Sequence, residues 1–287
     1  MAPLILDGIM KTTRELARSM SYHEFSHPAN EVLAVVLAGI LGGFAFGVLH
    51  FSFENVWFRL LSLLEARGAI SRLAPSIAVT RVYPSKEDFF SVAIAPMPLA
   101  AVMYASRRFY YDHAHFSFDL AGGITFTWIL MLVHDAYFWF VHSCMHYFKR
   151  AYRLLHQLHH STSGDITVFS TAHGEILDVT VSITPFYLLV LLLLYLEGNW
   201  NPFHIILATF AVNNVNMMGH SGFRLPAFVY VPASLGVLLI PLAQRPIHHY
   251  IHHLDPRFNR SLYFTWCDRL AGTYRGTHPK CTSPNEP

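Results

Sequence analysis

Ten of the nineteen histidines crowd into two short blocks, His134 to His160 and His248 to His253, each directly after a strongly apolar stretch. Within them the spacings are HxxxH (His142, His146), HxxHH (His156, His159, His160) and a second HxxHH (His249, His252, His253). Residues three or four apart share a helix face, so each such pair aims two ring nitrogens at one point. Neutral imidazole binds iron, zinc, copper and nickel, and several rings packed at a membrane boundary cost solvation unless something organises their lone pairs. The pattern therefore predicts metal binding. One ion takes roughly four to six ligands and the clusters with their outliers offer about eight to ten nitrogens, so two ions are expected.

The residues alone leave the metal open among iron, zinc and copper. No helix carries a Glu-x-x-His pair of the carboxylate-bridged bundle type, and no HExxH favours a zinc hydrolase. A non-catalytic membrane haem or metal carrier is the alternative from another class, although bis-histidine haem ligation needs histidines within spans rather than triplets at span ends. Cys144 lies between His142 and His146, but two residues along a helix turn it away from both. With no CxxC among Cys144, Cys267 and Cys281, inert structural thiols are expected.

These side chains must be positioned by membrane elements. Hydrophobic residues make up 53% and charged residues 13% of the 287-residue chain, far below the roughly 25% charge of soluble domains. The fold class expected is all-α, an integral membrane helical bundle with a histidine-rich metal cap on its cytoplasmic side. Apolar stretches run over 32–50, 89–105, 120–141, 176–196, 203–218 and 227–243. The third and fourth have the length of full spans. Gly39, Gly42, Gly43 and Gly47 loosen the first, Pro96 and Pro98 predict a kink in the second, and Asn213, Asn214, Asn216 and Pro232 interrupt the last two. If 203–218 returns and 227–243 forms a hairpin, every cluster falls on one face of the membrane. Lys149, Arg150, Arg153, Arg245, Arg257, Arg260, Arg269 and Arg275 flank the clusters, which places that face in the cytoplasm. The sequon at Asn259 is then expected to be unmodified. The first twenty residues lack the long apolar core of a cleavable signal, and a formal charge of +2 gives no support for nucleic acid. Three regions are expected: 1–119 membrane-associated, 120–276 catalytic, and a tail over 277–287.

HSCMH at 142–146, HQLHH at 156–160 and HHYIHH at 248–253 resemble the three histidine boxes of the fatty acid hydroxylase superfamily of membrane di-iron enzymes. The resemblance runs from Leu120 to Gly276 and includes Asp135 and Tyr137, STAHGEILD around His173 and Glu175, GHSGFRLP around His220, and YFTWCDRLAGTYR. It looks most like the sterol C5-desaturase branch, with departures at Ser143, Gly174 and Cys267. The resemblance implies a metal site of His142, His146, His156, His159, His160, His173, His220, His249, His252 and His253, holding two iron ions. It also implies O2-dependent hydroxylation or desaturation of an unactivated C–H bond in a lipid such as a sterol, terpenoid, or sphingoid or fatty chain, with C4-methyl oxidation as a variant within the family. Electrons are then expected from a separate donor of the cytochrome b5 and NAD(P)H reductase kind, in the endoplasmic reticulum. Asp135, two turns before His142, is expected to accept the second N–H of a ligand ring. His248, one residue before its box, is expected to face elsewhere.

Overall fold

The computed structural model describes residues 28–77, 84–105, 116–162, 164–197, 201–236 and 242–281, so the expectations for the first twenty residues and for the end of the tail lie outside it. The architecture is helical: α1 (Pro28–Ala66), α2 (Lys86–Ile94), α3 (Met97–Ala105), α4 (Leu120–Tyr147), α5 (Ile176–Glu197), α6 (Pro202–Gly219), α7 (Ala227–Ala233), α8 (Pro246–Leu254) and α9 (Trp266–Leu270). Among the described residues, strand pairing is confined to β1 (Ser71–Arg72) against β2 (Phe223–Arg224), antiparallel, and a bridge between Ala243 and Phe264.

Four segments are long and apolar enough to cross a bilayer: Asn30–Ala66, Lys86–Ala105, Leu120–Tyr147 and Ile176–Leu196. The first is one uninterrupted helix of 39 residues, about 58 Å long against a hydrocarbon core of about 30 Å, so one end projects beyond the bilayer. Its glycines do not loosen it. A Cβ at Gly43 would lie 2.2 Å from the Ala93 carbonyl oxygen and one at Gly42 would lie 2.5 Å from Ala100 Cβ, so bare backbone lets α1 lie against α2 and α3. The opposite side of α1 turns Leu37, Leu41 and Val48 outward, as a lipid-facing surface requires.

The second segment breaks where the prolines predict, between α2 and α3. Thr184 Oγ1 donates to the Ala95 carbonyl at the break. Ser85 and Asp88 form a reciprocal capping box at the start of α2. α4 packs against α5 and α6 around Leu130, Met131, Val190, Leu194 and Ala208, all fully shielded. α6 starts at Pro202 behind the Asn201 cap and is 18 residues long, but its asparagines leave it less apolar than the four spans. The stretch expected as a hairpin, 227–243, opens with the short α7 and a turn in which Leu235 and Gly236 have positive φ; residues 237–241 lie outside the described set.

Gly43→Ile should therefore lower the unfolding midpoint of the full chain in detergent, by the equivalent of about 1–3 kcal/mol, because backbone stands in the way. Leu41→Val on the outward side should leave it unchanged.

Candidate metal centre

The end of α4 carries His142 and His146, one turn apart. Lys149–Ala151 then leads into a π-helical turn, Tyr152–His156, that carries His156, and a 3-10 turn, His159–Thr162, carries His159 and His160. Widened helical turns of this kind occur often at functional sites. His220 caps the C-terminus of α6, and α8 carries His249, His252 and His253. Nine rings gather into two groups: His142, His146, His156, His160 and His252, then His159, His220, His249 and His253, with the ligand atoms in each group within 4.8 Å of one another. Helical spacing accounts for which neighbours stay together. The pairs four apart, 142/146, 156/160 and 249/253, each stay within one group, while His159 and His252 go to the other group from their box-mates.

In the first group the five Nε2 atoms close a ring, with successive separations of 2.9 Å (His142 to His156) and 3.1 Å (156 to 160, 160 to 252, 252 to 146, 146 to 142). Protons cannot bridge all of these contacts. His142 Nδ1 donates to the Arg260 carbonyl at 2.7 Å, His252 Nδ1 to the Phe258 carbonyl at 2.7 Å, and His156 Nδ1 to the Asp178 carboxylate at 2.7 Å. A neutral ring that donates from Nδ1 presents a bare lone pair at Nε2. The contact between His142 and His156 is therefore lone pair against lone pair. The second group repeats the arrangement: His159 Nδ1 donates to the His173 carbonyl and His220 Nδ1 to the Asn216 carbonyl, leaving their Nε2 atoms facing at 3.4 Å. His249 Nε2 lies 2.9 Å from His220 Nε2, and neither ring nitrogen of buried His253 has a hydrogen-bond partner.

Such a cluster is costly without a cation. A buried polar group left unpaired costs about 1–3 kcal/mol, so nine together approach the whole stability of a domain, about 5–15 kcal/mol. Protonation does not relieve it, because burial, reinforced by neighbouring imidazoles, pushes His156, His159 and His220 down to about 3. A donor set of neutral imidazoles, five of them with the outer nitrogen tied to an acceptor, and with ring nitrogens converging at each group fits transition-metal ions at both. A cavity of about 80 Å³ reaches the rings of both groups, walled on its other side by apolar residues including Phe46, Val92, Phe138 and Ile183.

Two predicted site residues take other places. Asp135 does not touch a ligand ring: its Oδ1 accepts the backbone N–H of Leu262 at 2.9 Å and of Tyr263 at 2.7 Å. Together with Asp268, which accepts the N–H of Arg260 and of Ser261, it fixes the irregular segment whose Arg260 carbonyl holds His142. His173 stands outside both groups because its nitrogens face other partners, Nδ1 the Asp88 carboxylate at 3.1 Å and Nε2 the Ser161 hydroxyl at 3.1 Å. Its contribution to the cage is its carbonyl, which orients His159. His248 turns away as expected, toward the Arg245 backbone N–H and the Tyr274 hydroxyl. His134, in the first block, pairs with Tyr263 Oη and the Ser182 carbonyl. Sequence reasoning missed Asp178, although it closes the STAHGEILD segment as a lone acid at the head of an apolar helix. It missed Asp88 and Asp268 as well.

The Fatty acid hydroxylase family profile matches residues 127–273, half of the chain. Methylsterol monooxygenase 1 of Rattus norvegicus is 26% identical over 147 residues, which cover 50% of this chain and 44% of that protein. Protein CER1-like 2 of Arabidopsis thaliana is 30% identical over 227 residues, 77% of this chain and 35% of that protein. The chain thus spans less than half the length of these curated relatives. No solved structure matches.

Asp178→Asn should weaken metal retention about 10- to 100-fold, read as metal content after graded chelation, because it disturbs the proton on His156 Nδ1. His173→Ala should retain both ions. The metal-free chain should be most stable above about pH 6.5 and lose stability as pH falls toward 3, since the unfolded histidines bind protons that the buried ones refuse; unfolding midpoints across that range check it. Asn259 is fully buried, with Nδ2 donating to the His248 and Arg275 carbonyls, so peptide mapping should find it unglycosylated.

Proposed function

This chain belongs to the fatty acid hydroxylase family, and from that premise we propose that it is a membrane-bound, O2-dependent oxidoreductase whose two iron ions serve hydroxylation or desaturation of an unactivated C–H bond in a lipid. The observation that carries the reading is the pair of converging imidazole groups with lone pairs fixed inward. Bound iron supplies the activation of O2 that breaking such a bond demands. The remaining work belongs to this chain. His142, His146, His156, His160 and His252 hold one ion and His159, His220, His249 and His253 the other. Asp178 and the carbonyls of Arg260, Phe258, His173 and Asn216 hold the ring protons outward, so the rings are oriented before metal arrives. Apolar walls keep water from the C–H bond being attacked.

Hydroxylation converts R–H and O2, with two electrons and two protons, into R–OH and water; desaturation takes two hydrogens from adjacent carbons and yields two waters. A separate donor, an electron carrier of the cytochrome b5 kind with its reductase, supplies the electrons. The exposed Lys149, Arg150, Arg153, Arg257 and Arg269 near the cage support a landing face for an acidic carrier. The same basic excess supports a cytoplasm-facing site in the endoplasmic reticulum. The name of the rat relative supports a sterol-like lipid among the candidates.

Membranes containing the chain, incubated with sterols, sphingoid bases and fatty chains under O2 with reductant, should yield a product that has gained one oxygen or lost two hydrogens by mass spectrometry. His252→Ala should abolish it. Product formed without O2, or by His252→Ala at the full rate, contradicts the reading.

A further inference from the structure

Two cavities meet at a set of polar side chains that the metal cage does not use. The inner one, about 80 Å³, ends at the imidazole groups; the other, about 300 Å³, lies between α1 and α6 among Leu49, Phe53, Ile206 and Phe210. Both are lined by Phe46, His50 and Asn213. Leu49 is 60% and Ile206 59% exposed, so the larger groove opens on the lipid-facing surface. His50 and Asn213 thus form the neck at which the outward-opening groove adjoins the inner chamber.

The polar groups at that neck are built in. His50 is buried, with Nδ1 3.0 Å from Asn213 Oδ1 and Nε2 3.2 Å from Glu54 Oε1. The Asn213 amide also donates to the Thr209 carbonyl, which fixes its orientation and makes His50 Nδ1 the donor to Oδ1. One turn further toward the cage stands Asn216, which lines the inner cavity and whose side-chain amide makes no hydrogen bond among the described residues. Asn213, Asn216 and His220 follow one another at three and four residues, so one face of α6 runs from the neck to the second metal group. Asparagines here cost membrane insertion and weaken the span, and the inner cavity leaves the Asn216 amide its hydrogen-bonding capacity.

We propose that His50, Asn213 and Asn216 form a recognition collar for an uncharged oxygen, a hydroxyl or carbonyl, on the lipid substrate. The proposal rests on the oxygenase reading above and names the substrate class of that site. Among the described residues neither cavity is lined by a lysine or arginine, so a carboxylate or phosphate at this depth would meet no cation there. The apolar bulk of the lipid occupies the outer groove, its oxygen meets the Asn216 amide and the Asn213 edge, and the carbon to be oxidised enters the inner chamber. That chamber has room for roughly two or three water-sized groups, so it takes an edge or end of the lipid rather than its bulk. From Asn216 or Asn213 to His220 the helix rises about 6 to 10 Å, which sets the distance between the substrate oxygen and the attacked carbon.

The test is equilibrium binding to the full chain in detergent, using two matched pairs, hexadecanol with hexadecane and cholesterol with cholestane, together with palmitate. In at least one pair the hydroxylated member should bind about tenfold tighter, since its partner leaves the Asn216 amide without an oxygen to meet, and palmitate should bind more weakly than hexadecanol. Asn216→Leu and, separately, His50→Phe should cut that preference to about twofold or less, with metal content and binding of the hydrocarbon partner maintained. Equal affinity within both pairs, palmitate equalling hexadecanol, or a preference that survives in both variants would overturn the collar. Failure of the oxygenase reading would show separately, as absence of metal-dependent O2 consumption with the binding preference intact.

Discussion

The rest of the structure depends on the repulsion between imidazole lone pairs. His142 and His156 hold bare Nε2 atoms 2.9 Å apart with no proton between them, and His159 and His220 do the same at 3.4 Å. Water cannot relieve them, because most of the rings are buried, and protonation is opposed by the same burial. Only a cation at each focus turns the repulsion into attraction. The protein keeps the arrangement in place by spending its buried acceptors on the outer nitrogens, one carboxylate and four main-chain carbonyls.

That requirement reaches well beyond the ligands. The carbonyls of Arg260 and Phe258 are useful only if residues 258–264 cannot shift, and two buried carboxylates, Asp135 and Asp268, pin that segment through its backbone N–H groups. Asp88 links another pair of elements, capping α2 with one oxygen and holding His173 with the other. The His173 carbonyl then orients His159. Polar anchors that would be wasteful in a membrane bundle serve here to transmit the rigidity of packed helices to nine rings.

That these histidines would gather was legible because it follows local helical spacing: side chains four apart land together whatever the tertiary fold. The partition into two groups was not, since it depends on how α6 and α8 meet the turn after α4. Asp135 and His173 show the same limit from the other direction. Their spacing and motif context marked them as site residues, yet tertiary partners, the backbone of 262–263 for one and Asp88 with Ser161 for the other, decide what their polar atoms do. The proline break near residue 96 could be read because proline acts on its own helix. The glycines of α1 misled because their meaning lies in the neighbour: glycine that looks like weakness in an isolated helix is clearance when Ala93 and Ala100 pack against it.

The central claim is that this one chain holds two transition-metal ions with imidazole nitrogens as its own ligands. Metal analysis of the purified full chain, combined with X-ray absorption at the iron edge, tests it most directly. The account predicts two iron ions per chain with a nitrogen and oxygen first shell and no sulfur scatterer. One ion per chain, or iron bound by sulfur, would contradict it.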